Sequence, residues 1–155
     1  SPAQTPGRLN MFQFKQFKFL VDFAHNPAGL ELLCDFIGKM DGEPKVGIIS
    51  GTGDRRDDDI KELGRISGRS FDEIIIRQDK NLRGRTAEEI VSLLVDGINE
   101  TKTKDVPITI IYNEKEAIMH AYNTAKPGSL ITIMCDVVAE ALDLIKGLKE
   151  KEDME

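Results

Sequence analysis

The sequence predicts an α/β fold: a Rossmann-like, doubly wound and mostly parallel sheet of about six strands, with helices on both faces. Strand-like and helix-like patterns alternate along its 155 residues, which is typical of parallel strands joined by crossover helices. Most of the predicted strands are short, continuous apolar runs, such as residues 74–76 and 108–111. Strands that helices cover on both faces have this composition.

The chain begins with a pattern of a different kind. Residues 9–14 alternate apolar and polar side chains, Lys15 and Gln16 supply a turn, and residues 17–21 run back as an apolar strand. This is the pattern of two antiparallel strands joined by a tight turn. We therefore expect an antiparallel N-terminal hairpin strand beside the parallel sheet.

Helices and strands then alternate to the end of the chain. Pro27 fits the first turn of a helix, where its missing N–H costs nothing. Thr86 and Glu89 form a capping box that starts a later helix, so they need no functional role. The predicted elements are, in order, helix 27–40, strand 46–50, helix 57–67, strand 73–77, helix 86–99, strand 108–111, helix 114–125, strand 130–134 and helix 138–148.

Composition and charge exclude several classes of protein. A net charge of −6 and a pI of about 5.0 argue against a nucleic-acid coat. No apolar run approaches the length of a membrane span, and the chain does not start with a signal peptide, so we expect a cytoplasmic protein. Cys34 and Cys135 lie far apart in apolar surroundings, as reduced core residues do. No cluster of histidines and cysteines has metal-ligand spacing.

One domain is expected, residues 9–148. Residues 1–8 have the Pro- and Gly-bearing composition of a linker from a preceding domain, and residues 149–155 form a charged, solvated tail. The first residue is Ser1 rather than methionine. We therefore expect a fragment from the C-terminal side of a larger protein.

Three polar segments follow three of the predicted strands. Residues 22–26 follow the hairpin, residues 50–56 follow the next strand, and residues 77–85 follow the one after that. In open α/β sheets, ligands bind at the carboxyl ends of the strands, and a helix N-terminus favours anions. The three segments therefore predict a single ligand site at the carboxyl edge of the sheet.

The middle segment has the residue types of an anion site. Gly51 and Gly53 let a ligand approach the backbone closely, and Arg55 and Arg56 offer bidentate contacts to a phosphate or a carboxylate. The alternative is a tight turn whose charges cap the next helix. The three acidic residues 57–59 are explained by compensation of that helix's dipole.

The three segments, in this order, resemble the C-terminal domain of Mur ligases, which are ATP-dependent amide-forming enzymes. Residues 22–27, Asp-Phe-Ala-His-Asn-Pro, resemble their Asp-Tyr-Ala-His-x-Pro element, which folylpolyglutamate synthetase carries in a related form. Residues 53–55 match their Gly-Gly-Asp-Arg loop, and residues 7–10 resemble their Gly-Arg-x-Glu start. With Arg-Gly-Arg at residues 83–85, the set is most similar to the cyanophycin synthetase branch.

Two departures qualify this resemblance. Many Mur ligases follow the last strand with Gly-Lys-Gly-His-Glu, whereas residues 134–137 read Met-Cys-Asp-Val; this argues against a peptidoglycan ligase and is compatible with the cyanophycin branch. The nucleotide-binding Gly-Lys-[Ser/Thr] loop of these ligases lies in their central domain and does not occur in this sequence. We therefore expect the isolated chain to be inactive.

The resemblance implies a reaction and roles for residues. A carboxylate is activated by ATP to an acyl phosphate, and an amine attacks it to give an amide, ADP and phosphate. ATP binding is implied for Asp22, His25 and Asn26. Candidates for substrate binding are Gly51, Gly53, Asp54, Arg55, Arg56, Asp79, Arg83 and Arg85. If the added amino acid is arginine, the candidate partners of its guanidinium are Asp54, Asp57 and Asp79, and the sequence does not rank them.

The implied cofactors are ATP and Mg²⁺, both shared with a preceding ATP-binding central domain of the same polypeptide. The implied partners are that domain and the amino-acid and peptide-like acceptor substrates. We expect no nucleic acid and no membrane as a partner, and a homo-oligomer of the parent protein is possible. Two alternatives remain. One is a nucleotide-binding Rossmann domain of an oxidoreductase or regulatory protein, which rests on Gly51-x-Gly53. The other is a catalytically silent domain retained for assembly.

Overall fold

The computed structural model describes residues 9–155, which form strands and helices in the order that the sequence predicts. The fold class is confirmed, and most predicted bounds are right to within a few residues. The elements are β1 (Leu9–Gln13), β2 (Lys18–Asp22), α1 (Pro27–Gly38), β3 (Lys45–Ile49), α2 (Asp57–Ser70), β4 (Glu73–Ile76), α3 (Ala87–Thr101), β5 (Ile108–Ile110), α4 (Glu114–Thr124), β6 (Leu130–Met134) and α5 (Val138–Asp153).

The strands form one mixed sheet in the order β1-β2-β6-β3-β4-β5. β1 pairs antiparallel with β2, as expected of the hairpin, and the remaining neighbours pair in parallel. β6, the last strand in the chain, lies between β2 and β3. The carboxyl ends of β2, β6, β3 and β4 therefore lie side by side at one edge of the sheet.

Two apolar clusters cover the two faces of this sheet. Helices α1, α2 and α3 contribute to one cluster, and α4 and α5 contribute to the other. Successive side chains of β4 alternate between them: Ile74 and Ile76 join the first and Ile75 the second. β3 and β6 are buried along their whole length, as their apolar runs predict.

The prediction of two covered faces is wrong for β5. Ile108 and Thr109 are only partly buried, and Ile110 is 47% exposed. β5 is the strand at the end of the sheet, with a neighbour on one side only. Helices that pack over the middle of a sheet cover such a strand incompletely, although its sequence is as apolar as that of a central strand.

α2 and α3 pack main chain against main chain through glycines. A Cβ added at Gly64 would fall on the carbonyl oxygen of Leu94. A Cβ added at Gly97 would meet the carbonyl oxygen of Lys61 and would lie 2.8 Å from the main-chain nitrogen of Arg65. Any larger residue at these two positions would push the helices apart.

The last helix is longer than predicted. α5 ends at Asp153 rather than at residue 148, so most of the predicted tail, residues 149–155, is helical. The Glu152 carboxylate accepts a hydrogen bond from the main-chain N–H of Lys15 at 3.0 Å. This bond ties the end of the helix to the turn of the hairpin.

The predicted linker, residues 1–8, lies outside the described residues, and so do the first two residues of the family-like start at residues 7–10. Across residues 9–155, no helix is long and apolar enough to cross a membrane.

Candidate active site

The loops that follow β2, β6, β3 and β4 surround a cleft of about 180 Å³. This is the edge of the sheet at which the three polar segments predict a ligand. Each of the four loops contributes to the lining; His25, Thr52, Arg83 and Asp136 come from one loop each.

The loop between β2 and α1 carries the three residues for which ATP binding is implied. Asp22 Oδ2 accepts a hydrogen bond from the N–H of Ala24 at 2.9 Å. Asn26 is the N-cap of α1, and its Oδ1 accepts a hydrogen bond from the N–H of Gly29 at 2.8 Å. These two side chains shape the loop. His25 is exposed and lines the cleft, and its Nδ1 lies 3.2 Å from the carbonyl oxygen of Phe23.

The two predicted glycines explain how the neighbouring loops pack. A Cβ added at Gly53 would lie 2.5 Å from the carbonyl carbon of Leu82, so the loop after β3 touches the loop after β4 backbone to backbone. A Cβ added at Gly51 would lie 2.8 Å from Ile90 Cγ2 and 2.9 Å from Ile60 Cγ2. Gly51 therefore makes room for the packing of α2 and α3 rather than for a ligand.

Arg85 clamps these two loops together. Its Nε donates to the carbonyl oxygen of Gly53 at 3.2 Å, and its Nη2 donates to that of Arg55 at 2.9 Å. Its Nη1 lies 2.7 Å from the Asp57 carboxylate and 2.9 Å from the Glu89 carboxylate. All three guanidinium nitrogens are thus engaged within the protein, and the clamp holds the shape of the site.

The other arginines of the predicted set differ in their access to the cleft. Arg83 has a left-handed backbone, with φ at 54°, and its N–H donates to Asn81 Oδ1 at 2.9 Å; its exposed side chain lines the cleft. Arg55 is partly buried, and the Arg56 side chain is 82% exposed and lies 3.7 Å from the Asp59 carboxylate. Arg83 is therefore the predicted arginine that lines the cleft.

A buried arginine lies in the wall of the cleft. The Arg77 side chain is 2% exposed. Its Nε and Nη2 donate to the carbonyl oxygen of Met134 at 3.0 and 2.6 Å, and its Nη1 lies 2.5 Å from Asp79 Oδ1. The Ser50 hydroxyl donates to the same Oδ1 at 3.0 Å. The Asp79 carboxylate, predicted as a substrate contact, is thus held from two sides.

Glu114, at the start of α4, extends this network. Its Oε2 lies 3.1 Å from Arg77 Nε and accepts a hydrogen bond from the N–H of Asp136 at 2.8 Å. Burial raises the pKa of Glu114, although the positive charge of Arg77 opposes the shift. Asp79 and Asp136 line the cleft and also border a second, open depression of about 440 Å³ on the α4 side.

Both cysteines are buried free thiols, as predicted of core residues. Burial raises the pKa of Cys34 to about 11 and that of Cys135 to about 12. Cys135 also lines the cleft, where its Sγ lies 3.2 Å from the carbonyl oxygen of Asp22. Because only a thiolate is a strong nucleophile, neither thiol is suited to nucleophilic chemistry.

The structure therefore brings some of the predicted residues to the cleft and leaves others outside its lining. The predicted residues in the lining are His25, Asp79 and Arg83. Those outside it are Asp22, Asn26, Gly51, Gly53, Asp54, Arg55, Arg56 and Arg85. Three residues of the site were not predicted: Arg77, Ser50 and Glu114. Arg77 and Ser50 belong to the predicted polar segments, and their positions at strand ends could have singled them out. Nothing in the local sequence of Glu114 distinguishes it from an ordinary helix start.

Comparison with known proteins connects this chain to a group of ligases. The sequence model of the Mur ligase C-terminal domain, described as "Mur ligase, glutamate ligase domain", matches residues 7–136. The chain is 39% identical over 145 residues to the cyanophycin synthetase of Crocosphaera subtropica, covering 94% of this chain and 16% of that protein. It is 28% identical over 147 residues to the UDP-N-acetylmuramoyl-L-alanyl-D-glutamate–2,6-diaminopimelate ligase of Aquifex aeolicus, covering 95% and 29%. The chain thus spans less than a third of either relative.

Solved structures share the fold. A UDP-N-acetylmuramoyl-L-alanyl-D-glutamate–2,6-diaminopimelate ligase superimposes with a TM-score of 0.74 at 20% identity, covering 93% of this chain and 32% of that one. E. coli FolC in complex with ADP, without folate substrate, gives a TM-score of 0.70 at 20% identity, covering 96% and 33%. At this level of identity the likeness concerns the arrangement of strands and helices.

Proposed function

This chain belongs to the Mur ligase, glutamate ligase domain family, and we propose that it is the substrate- and ATP-contacting C-terminal domain of an ADP-forming amide ligase similar to cyanophycin synthetase. In this proposal, ATP activates a carboxylate to an acyl phosphate, and the amine of an amino acid attacks it to give an amide, ADP and phosphate. One observation carries the proposal: the cleft at the carboxyl edge of the sheet combines His25, Arg83 and Asp79.

We propose that ATP binds between this chain and a preceding ATP-binding domain of the same polypeptide, with residues 9–148 as the domain and residues 1–8 as the linker. His25 offers an exposed imidazole just before the N-terminus of α1, where the helix dipole favours a phosphate. Asp22 and Asn26 act by holding that loop in shape. Bound Mg²⁺ would neutralise charge on the transferred phosphoryl group. Among residues 9–155, no group of histidine, cysteine and acidic side chains is arranged to hold a metal ion, so we assign no Mg²⁺ ligand to this chain.

Closure of this domain over the nucleotide has a chemical purpose in this scheme. An acyl phosphate is hydrolysed by water, and a closed site excludes water while the amine attacks. The four loops around the cleft supply the surface that closes. Their mutual hydrogen bonds, above all those of Arg85, keep that surface in one shape.

The added amino acid would lie between Arg83 and Asp79. An arginine can bind the α-carboxylate of the substrate in a bidentate manner, and Arg83 presents its guanidinium at the cleft. Of the three acidic candidates for a substrate guanidinium, Asp54 and Asp57 are both outside the lining of the cleft. Asp79 is in the lining, so we propose it as the acidic contact and arginine as the substrate.

The first experiment measures ADP release by the complete polypeptide that carries this domain. Each amino acid is offered singly, with and without an aspartate-chain primer. Release that requires arginine and the primer is expected. Release with a different amino acid would retain the ligase mechanism and reject arginine as the substrate. No release with any amino acid would contradict the ligase proposal.

A variant tests the placement of the amino acid. Arg83→Ala is expected to raise the KM for the amino acid by about tenfold or more, because a charged hydrogen bond contributes about 1.5–3 kcal/mol. The KM for ATP should stay within about twofold, since His25 is on a different loop. Arg69→Ala is the matched control, because Arg69 pairs with Glu31 between α1 and α2. An unchanged amino-acid KM in Arg83→Ala would exclude this placement.

The dinucleotide-binding alternative receives no support from the geometry. It rests on Gly51-x-Gly53, whose glycines should face a pyrophosphate. Gly51 instead packs against Ile60 and Ile90, and Gly53 against Leu82. Both glycines are therefore explained by contacts within the protein.

A further inference from the structure

Arg77, at the carboxyl end of β4, is absent from the residues expected to bind substrate. We infer that it is a positioning residue of the ligase site: its buried guanidinium ties the Asp79 carboxylate to the main chain at the end of β6 and thereby fixes two walls of the cleft. The effect on turnover rests on the proposed function. The effect on the loops of the free protein can be measured separately.

The strand order makes this arginine a bridge. β3 lies between β4 and β6 in the sheet, so the side chain that starts at the end of β4 must cross the end of β3 to reach Met134. At that crossing, Ser50 donates to the same carboxylate oxygen of Asp79 that Arg77 contacts. Arg77 and Asp79 together thus connect the ends of three neighbouring strands in the wall of the cleft.

A second connection runs through Glu114. Its Oε2 contacts Arg77 Nε and accepts the N–H of Asp136. Asp136 Oδ2 in turn accepts the N–H of Lys80 at 2.9 Å. Arg77 is therefore joined to the end of β6 at Met134 and, through Glu114, to the loop that follows β6. That loop is joined in turn to the loop after β4. Asp79 and Asp136 are both in the lining of the cleft.

Stability alone does not account for such an arrangement. Removing charges from water is costly, and a buried ion network replaced by well-packed apolar side chains is often as stable or more stable. The planar fork of arginine, however, supplies several donors in fixed directions. It can meet a carbonyl oxygen and two carboxylates at once, which a lysine ammonium cannot do in the same geometry. These donors fix the relative positions of the groups around the cleft.

Arg77→Lys tests the inference because it keeps the charge and removes the fork. In the complete polypeptide, the KM for the amino acid should rise by about tenfold or more, because a misplacement of about 1 Å is enough for losses of up to about 100-fold. The KM for ATP and kcat should change by less than about threefold. Arg69→Lys is the matched control, since it makes the same replacement at a half-exposed pair with Glu31, outside the lining of the cleft. An amino-acid KM within twofold of the wild-type value, or an equal rise in both KM values, would overturn the inference.

Hydrogen exchange gives a readout that needs no turnover. In the 155-residue chain, followed by NMR, the amides of Asp136 and Lys80 should exchange about tenfold faster in Arg77→Lys than in the wild type or in Arg69→Lys, because the loop they stabilise has lost its anchor. Unchanged exchange rates in Arg77→Lys would overturn the inference, whether or not the complete polypeptide releases ADP. A failure to release ADP would count against the proposed function alone. Should Arg77→Lys not fold, Arg77→Gln removes the buried charge and keeps one donor for Met134. The same outcomes then apply to it.

Discussion

Gly53→Ala is expected to lower kcat/KM for the amino acid strongly, although it adds only one methyl group. The new methyl group would lie 2.5 Å from the carbonyl carbon of Leu82, whereas carbon atoms in ordinary contact are about 3.5 Å apart. The loops after β3 and β4 must therefore separate by about 1 Å. Both loops border the cleft, and Arg85 joins them through the carbonyl oxygens of Gly53 and Arg55.

The expected loss in kcat/KM for the amino acid is on the order of 100-fold, which is the effect that a misplacement of about 1 Å has on a catalytic geometry. The loss corresponds to about 2.7 kcal/mol of transition-state stabilisation. Overpacking should also lower the free energy of unfolding by about 1–3 kcal/mol. ADP release by the complete polypeptide measures the first effect, and urea unfolding of the 155-residue chain measures the second.

Gly147→Ala is the matched control for this variant. Gly147 lies within α5, and a Cβ added there meets nothing within 4 Å. Alanine should raise stability by about 0.5–1 kcal/mol at such a helical position and leave turnover unchanged. If Gly53→Ala kept kcat/KM within twofold of the wild type, the contact between the two loops would not matter for catalysis, and this reasoning would be refuted.

Three further outcomes concern the whole chain. Gly97→Ala should lower the free energy of unfolding by about 1–3 kcal/mol in urea unfolding, because its methyl group would meet the Lys61 carbonyl; equal or greater stability would contradict the close packing of α2 and α3. Cys34 and Cys135 should resist a thiol reagent at pH 8 in the native chain and react once it is unfolded, since burial raises the pKa of both; rapid native labelling would disprove this. Burial alone would raise the pKa of Asp72, but hydrogen bonds to its carboxylate, including that from a lysine side chain, lower the pKa. The carboxylate therefore stabilises the fold above the ordinary carboxyl pKa of about 4. This stabilisation is lost as the pH falls through the lower pKa of the folded state. Asp72→Asn should flatten that acid-induced loss in thermal unfolding, and an identical pH profile would argue against the shift.

The fold could be predicted from the sequence where the signals are local. The apolar runs of β3 and β6, the proline that begins α1 and the capping threonine before α3 each report on a few neighbouring residues. Strand order depends on contacts between distant segments, so the pattern could not show that β6 lies between β2 and β3. The same limit explains the wrong prediction for β5. Its apolar residues resemble those of a central strand, but β5 is an outermost strand of the sheet and Ile110 is 47% exposed.

The candidate site also depends partly on local sequence signals and partly on contacts between distant segments, and the contacts of Arg77 are of the second kind. His25, Asp79 and Arg83 each lie in a polar segment that follows a strand, and the resemblance to Mur ligases singled them out as site residues; both signals are local to the sequence. Arg77 lies two residues before Asp79 in the same segment, yet its partner Met134 becomes reachable only because β6 is inserted next to β3. A charge at the end of a strand is ordinarily solvated, and here the inserted strand buries it and supplies its main-chain acceptor. The positioning role therefore arises from strand order: the local sequence could single out Arg77 as a polar residue at a strand end, but it could not show that the end of β6 supplies its acceptor.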